Sequence, residues 1–532
     1  MLTIIKKVLN EIKIRVINFY CQIIRTLKFN KSIEKLIGIE SSYKCSNDNY
    51  IIFDCIWDNA LHWYKIALFK NTLCKFHNAK SIAIQTKNSL FLNFTINKLF
   101  FDKKILVKYE GINKKKFHLS KKYYNSNDIL SLSLPYNYPS YLLYDFILKK
   151  ERIGKIEKLN KIQLSKYVEK IIFYLNYFNQ LIDRYDIKTA FLSHKIGIEL
   201  SALAWILVCK NKKFYLANYY NRHVTISMFN KINFSSINDD YLKYKNFLNL
   251  SDEKKFQLEN YGNIYLTKIS QGKEGHFTKF NVYKKNNSIR SKNDFNKIIG
   301  NKKNLKVFSI MCNAWPDFPN MYKKNIFNDY VDWCLFTFKV IQKNNNVFWL
   351  FKAHPAELAY GAKTKLNNLI SERENIKILD KNILSNDVLK HTDGIVTARG
   401  TSAIEYAARG KTVITCFDSP YKEYNFTYHA NSKKKYTELI RNCHNFPYSN
   451  PNFIKLAKIF ASSFLSDLYL TKYPNYPYGD ISYLLYLNFH KFIKLNKKKI
   501  INEKNMFDKW IKSYNQYSSM TSYNEFKIIN SK

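Results

Sequence analysis

At 532 residues with 46% hydrophobic side chains, the chain exceeds one ordinary domain and has apolar mass for two or three cores, which excludes a disordered chain. Lys and Arg number 86 against 41 Asp and Glu, a net charge of +45 that suggests an anionic partner, although the excess is mostly lysine spread throughout and reads as compositional bias. Nine scattered cysteines without a C-x-x-C pair argue against a zinc ribbon or disulfide framework and fit a reducing cytosol.

Residues 1–30 have the pattern of a basic amphipathic helix. Ile5, Leu9, Ile12, Val16, Phe19, Ile23 and Leu27 recur on one face, with Lys6, Lys7, Lys13, Arg15 and Arg25 supplying charge. Such a face fits either an anionic membrane surface, as a peripheral contact, or the protein's own first domain. No apolar run reaches the ~20 residues that span a bilayer, and no small-residue cleavage site follows this segment.

From Tyr50 strand and helix patterns alternate, which predicts a parallel sheet covered on both faces. Strands are expected at Tyr50–Phe53, Ser81–Gln85, Thr189–Leu192 and Lys213–Leu216, with helices over Gln163–Tyr185 and Glu199–Val208. The stretch 101–160 is Lys- and Tyr-rich with little periodicity. Residues 284–304 are polar and basic and read as a linker that closes a first domain at 31–283. A second block, 305–495, carries strands at Leu305–Ile310, Val347–Lys352 and near Ile376–Leu379, and a helix around Phe327–Gln342. It ends in a helix at Ile481–Leu495, and 496–532 reads as a Lys-rich tail.

The chemistry concentrates in two places of the second block. Val347–Lys352 runs directly into Ala353-His354-Pro355, and Pro355 stops strand pairing and holds His354 extended, so the imidazole is fixed at the carboxyl edge of the sheet. Further on, Gly394–Thr397 reads as a buried strand, Ala398-Arg399-Gly400 as a tight loop, and Thr401–Glu405 as a helix start with Ser402 and Glu405 in capping-box spacing. Gly410 reads as a left-handed end to that helix and Thr412–Cys416 as the next strand. A β-loop-α unit of this kind presents free N–H groups to an anion, phosphate above all. Hydroxyls of Thr401 and Ser402 add donors, and Glu405 can accept from a sugar hydroxyl.

These segments, WLFKAHPAE followed by IVTARGTSAIEYAARGKTVIT, resemble the donor half of bacterial capsule and surface polysaccharide glycosyltransferases, Kdo transferases included. Their His-Pro and hydroxyl motifs are similar to those of CMP-using sialyltransferases and teichoic-acid polymerases. WPDFPNMYKKNIFNDYVDW at Trp315–Trp333 resembles the family's Asp-Pro loop and aromatic helix start. The likeness is good over 305–430, loose over 180–230, and faint around Asp58–His62. It implies a GT-B architecture: two Rossmann-like domains with parallel sheets facing across a cleft, a nucleotide-sugar donor on the second and a glycan or glycolipid acceptor on the first. Carried over, His354 contacts the donor phosphate, Gly400, Thr401 and Ser402 bind phosphate, and Glu405 lies near the ribose, with CMP among the candidate nucleotides. Asn320 stands where family members tend to have histidine after the Asp-Pro element, which puts that loop's role in doubt.

On the acceptor side, Asp58 and His62 follow one strand and His194 ends another, and each is a candidate base for the attacking hydroxyl. No metal-ligand cluster is visible, since Asp317 and Asp329 do not form a D-x-D, so metal-independent transfer without a cofactor is expected. Two rival readings remain: a CDP-polyol phosphotransferase of the teichoic-acid type, and a nucleic-acid-binding protein argued from charge. The second rival lacks any RNP, KH, zinc-finger or helix-turn-helix signature, and its lysines are spread instead of clustered.

Overall fold

The computed structural model describes residues 27, 31, 45, 47–56, 59–87, 90–109, 119–218, 225–235, 244–271, 292–300, 305–355, 357, 361–380, 383–447, 450–464 and 481–513. The amphipathic pattern of 1–30, apart from residue 27, and Asp58 lie outside the described residues.

The first unit is a six-stranded sheet of β1 (Tyr50–Asp54), β2 (Lys80–Gln85), β3 (Lys103–Leu106), β4 (Ile187–Leu192), β5 (Phe214–Asn218) and β6 (Thr225–Phe229). Its spatial order is β3-β2-β1-β4-β5-β6, parallel throughout except for β6, which pairs antiparallel with β5 as an edge strand. The central strands are buried almost end to end because helices cover both faces, which is why they read as continuous apolar runs. The helices are α1 (Ala60–His77), α2 (Ser140–Glu151), α3 (Lys161–Arg184) and α4 (Ile198–Cys209). Asn59 caps α1 by accepting from the Leu61 N–H at 2.9 Å, and left-handed Asn78 ends it. α3 has the clearest stripe, burying Leu164, Val168, Ile171, Leu175, Phe178 and Ile182 at three- and four-residue steps.

Helix α5 (Asp252–Ser270) leads toward the second sheet, which consists of β7 (Lys306–Met311), β8 (Val347–Lys352), β9 (Ile376–Ile378), β10 (Gly394–Val396), β11 (Thr412–Thr415) and β12 (Tyr428–His429). All its pairings are parallel, in the order β9-β8-β7-β10-β11-β12. Helices α6 (Tyr330–Ile341), α7 (Ser402–Ala407) and α8 (Pro451–Phe464) pack on it, and α9 (Ile481–Lys512) closes the described chain. Both sheets therefore have the doubly wound order in which the chain starts in the middle, winds outward one way, then returns and winds outward the other way. This is the expected α/β, GT-B architecture of two Rossmann-like units.

Two segments cross between the units, in ways the sequence pattern did not indicate. Helix α5, placed by sequence with the first domain, adds Leu258 and Leu266 to a core shared with Tyr421, Tyr424 and Phe460 of the second unit. It crosses α8 so closely that a Cβ on Gly262 would lie 1.9 Å from the Lys458 carbonyl oxygen. At the other end, α9 continues past Asn496 to Lys512, so the segment read as a tail is helical over that range. It returns to the first unit, where Ile500, Phe507, Trp510 and Ile511 are buried with Trp63, Phe69 and Leu73 of α1. Residues 292–298 within the expected linker are also helical, with Phe295 buried beside Val307 and Phe348. Lysine-rich composition hid these elements because lysine stems lie along apolar surface while their charges stay in water.

The α9 contact is fixed by a buried ion pair between Lys65 of α1 and Glu503, whose second carboxylate oxygen accepts from Tyr64 Oη at 2.7 Å. Burial lowers the Lys65 pKa to about 8, with Glu503 opposing. Removing one partner of a buried pair strands the other charge, typically at ~3–5 kcal/mol, whereas an apolar replacement of both is often neutral. Glu503→Ala should therefore destabilise the first unit by a few kcal/mol, and Lys65→Met with Glu503→Leu should recover most of that loss in denaturant unfolding.

Candidate functional site

In an open sheet of this winding, the strand ends diverge at the point where the order reverses, and side chains there face a crevice. In the second sheet that point lies between β7 and β10. Three neighbouring strands end around it: β8 in His354, β7 in the loop Cys312–Asp329, and β10 in Thr397–Ser402. The sequence-expected donor residues thus come to one sheet edge.

Gly400 is the tightest point of the β10 loop. A Cβ there would stand 3.0 Å from Thr397 Oγ1 and 3.1 Å from Ser402 Oγ, so two hydroxyls close over a bare backbone. Thr397 is pinned by donating to the Met311 carbonyl (3.1 Å), and it accepts the Gly400 N–H (3.3 Å). Tyr421 Oη donates to the Gly400 carbonyl at 3.2 Å. Gly400, Thr401, Ser402 and Glu405 are all half-buried. The expected capping box is not formed. Thr401, already helical at φ −63° and ψ −20°, occupies the cap position without a side-chain cap bond, so Ser402 is the first helical residue. A capping residue must be extended to turn its oxygen onto the helix N–H groups. Gly410 is left-handed, as expected, at φ 74°.

His354 is half-buried, and burial lowers its pKa to about 4, with Asp317 opposing the shift and Lys352 reinforcing it. At neutral pH the ring is uncharged, and its contribution to an anion is an N–H dipole, not a cation. Lys352 itself donates to the Ile383 carbonyl at 2.6 Å, and burial lowers its pKa to about 8. Arg399 ties the β10 loop to the β7 loop by donating to the Phe318 carbonyl (2.8 Å), with its guanidinium 5.2 Å and 5.7 Å from the ring centres of Tyr322 and Tyr330.

The β7 loop is where the two units meet, through α2. Lys149 pairs with Asp317 at 3.0 Å. Asp145 accepts from Asn320 twice, from the backbone N–H (2.7 Å) and from Nδ2 (3.1 Å). Tyr144 Oη donates to Asp329 at 2.5 Å, and Asp329 caps α6 by accepting from Asp332 N–H at 2.7 Å. Asn320 is thus a buried clamp between α2 and the β7 loop.

On the first sheet the order reverses between β1 and β4, and the two described acceptor-side candidates, His62 and His194, lie there. Asp54 ends β1 and is fully buried. It accepts from the Ile56 N–H (2.8 Å), the Ser193 N–H (3.0 Å) and the Ser193 hydroxyl. His62 is fully buried, donates from Nε2 to the Asp54 carbonyl at 2.7 Å and stacks on Phe191. His194 is half-buried, with Nδ1 3.1 Å from Ser193 Oγ. Burial lowers its pKa to about 4, with the Asp54 charge opposing and His62 reinforcing. His62 is thus closed off from solvent, whereas His194 is partly exposed at the sheet edge. Sequence reasoning missed Asp54, although a carboxylate closing an apolar strand, YIIFD, was visible as a signal.

Among the described residues, no group of three or more His, Cys, Asp or Glu is arranged to hold a metal ion, and no helix is long and apolar enough to cross a membrane. A cavity of about 460 Å³ lined by Thr427, Tyr428, His429 and Asn442 lies at the edge strand β12, away from either order reversal, and its Lys435 and Glu438 pair with each other at 3.0 Å.

Burial raises the Asp145 pKa to about 8, against the opposing hydrogen bonds from Asn320 and the charge of Arg399. A carboxyl whose folded pKa lies above its unfolded ~3.9 adds stability that is full below that value and lost as pH rises through the folded pKa. Asp145→Asn, which mimics the neutral acid, should therefore gain in melting temperature relative to wild type as pH rises from 5 to 8.5. A constant difference across that range in thermal unfolding would show that Asp145 does not titrate there.

No family model matches the chain, and no curated protein matches it. Among solved structures it is similar to the β-Kdo 2,4 transferase of Thermosulfurimonas dismutans KpsC, at 11% identity over 52% of this chain and 79% of that one, TM-score 0.31. It is also similar to a glycosyltransferase from Rickettsia africae ESF-5, at 10% identity over 86% and 100%, TM-score 0.27. UDP-GlcNAc 2-epimerase from Neisseria meningitidis, bound to UDP-GlcNAc, matches at 9% identity over 79% and 96%, TM-score 0.27.

Proposed function

We propose that this chain is a glycosyltransferase of surface polysaccharide assembly that moves a sugar from a nucleotide-activated donor to a glycan or glycolipid acceptor. The observation that carries this reading is the gathering of His354 and the Thr397–Glu405 loop at one order reversal, on a unit held against a second sheet whose own reversal presents His194. The donor diphosphate or monophosphate would lie against the bare backbone of Gly400, on the hydroxyls and N–H groups of Thr401 and Ser402, with Glu405 toward the ribose. An acceptor hydroxyl attacks the anomeric carbon, and its proton passes to a base on the first unit. The bond from that carbon to the phosphate oxygen breaks, and the departing oxygen keeps the electron pair. Neutral His354 stabilises the charge growing on that oxygen through an N–H. The proposed transfer is metal-independent, with His354 and the loop donors meeting the growing charge.

A panel of nucleotides tested by thermal shift in the presence of EDTA checks the reading, since a ligand at 100 times its Kd stabilises the native state by about 2.7 kcal/mol. CMP or another pyrimidine nucleotide should raise the melting temperature. Single-stranded nucleic acid shifting it while every nucleotide fails would overturn the proposal in favour of the nucleic-acid rival.

His354→Ala should lower turnover by ~10² or more, the range for losing one preorganised donor, with unfolding unchanged because Pro355 still fixes the chain. Glu405→Gln should instead weaken nucleotide binding and leave α7 intact, since Gln and Glu have similar helix propensity. Lost stability with unaltered turnover per folded His354→Ala molecule would make His354 a strand stop and nothing more.

A further inference from the structure

We infer that Asp54 and Ser193 are positioning residues that fix His194 in the tautomer with its proton on Nδ1, which makes His194 Nε2 the atom that takes the acceptor proton. This inference rests on the glycosyltransferase reading and selects among its three candidate bases.

The argument is a count of protons. Asp54 is buried at the end of β1. It has acceptors only, filled by the Ile56 N–H at one oxygen and by the Ser193 N–H and hydroxyl at the other. The Ser193 hydroxyl has a single hydrogen, and a carboxylate attracts it more strongly than a neutral imidazole does. With that hydrogen directed at Asp54, the 3.1 Å contact between Ser193 Oγ and His194 Nδ1 is a bond only if Nδ1 carries the proton. Nε2 then holds the lone pair. His62 has the opposite tautomer, because its Nε2 meets a carbonyl oxygen and must donate.

Among the described residues, titratable groups near His194 include Asp54, His62 and Lys195. Asp54 and His62 face it from β1 and α1. Adjacent Lys195 is directed away, donating to the Phe234 carbonyl at 2.5 Å. When the acceptor hydroxyl gives up its proton, the O–H bond breaks and an N–H bond forms at Nε2. The resulting imidazolium is stabilised along Nδ1–H, the Ser193 hydroxyl and the Asp54 carboxylate. A buried carboxylate serves a histidine base directly in hydrolytic triads; here one hydroxyl stands between them. Burial, reinforced by His62 and opposed by Asp54, keeps the ring neutral before the acceptor arrives.

The test uses the full chain labelled with ¹⁵N-histidine, with His194 signals assigned by their loss in His194→Gln. In wild type at neutral pH the expected signature is a protonated Nδ1 and an unprotonated Nε2. Ser193→Ala should return His194 toward the Nε2–H form that free histidine favours. It should also lower turnover about tenfold or more, as part of the ~10²–10⁴ that a general base supplies, with donor KM unchanged and the acid limb of the pH profile displaced. Ser193→Thr, which keeps the hydroxyl, should restore both tautomer and rate. An Nε2–H signature in wild type overturns the inference, as does a Ser193→Ala enzyme with wild-type turnover and an undisplaced acid limb. Failure of every nucleotide to bind would instead remove the glycosyltransferase reading, and the tautomer measurement alone would then decide whether the Asp54–Ser193–His194 chain stands.

Discussion

The structure depends on a buried hydrogen-bonded seam between its two units. Tyr144 and Asp145, consecutive on α2, reach Asp329 and Asn320 on the loop that follows the first strand of the second sheet. That loop is also where Arg399 anchors the β10 turn and where Asp317 acts on His354. The same residues that hold one unit to the other therefore set the geometry and the charge of the donor edge. The buried Asp145 carboxyl is accommodated there because both oxygens accept hydrogen bonds and burial raises its pKa to about 8, which favours the neutral acid.

A second constraint comes from the ends of the chain segments. Helix α5 leaves the first unit to join the second unit's core, and α9 leaves the second unit to complete the first. Neither sheet is then covered by a continuous stretch of sequence. Apolar burial by a returning helix couples the stability of each unit to the other, since detaching α9 would uncover Trp63 and Phe69 to water. The two order reversals are thus held in one relation by covalent crossings as well as by the α2 seam.

The two reversals carry different chemistry for a physical reason. The second sheet's edge offers hydroxyls, N–H groups and an imidazole depressed to the neutral state, a set of donors suited to developing negative charge. The first sheet's edge offers a histidine in contact with a serine that bonds a buried carboxylate, a set suited to receiving a proton. In the proposed reaction one side stabilises what leaves and the other accepts what is released.

The sequence by itself determined the inner strands of both sheets and the sheet edge at which His354 and the Gly400–Glu405 loop emerge. Val347–Lys352 was legible to the residue because a fully buried parallel strand is a continuous apolar run and Pro355 ends it. His354 and the Gly400–Glu405 loop were legible because they follow directly on such strands, so local pattern fixes where they emerge. The α2 helix was not legible. Leu142, Leu143, Tyr144, Asp145, Ile147 and Leu148 are all buried, and a helix pressed between two units has no polar face to produce a periodic signal. The continuation of α9 was hidden for the related reason that its partners, Trp63 and Lys65, lie more than four hundred residues away in sequence. The acceptor edge divides the same way. His194 was visible as a strand-end histidine, but the bonds from Ser193 to Asp54, on which the proposed tautomer depends, arise only when β1 and β4 pair, bringing together residues 139 apart in sequence.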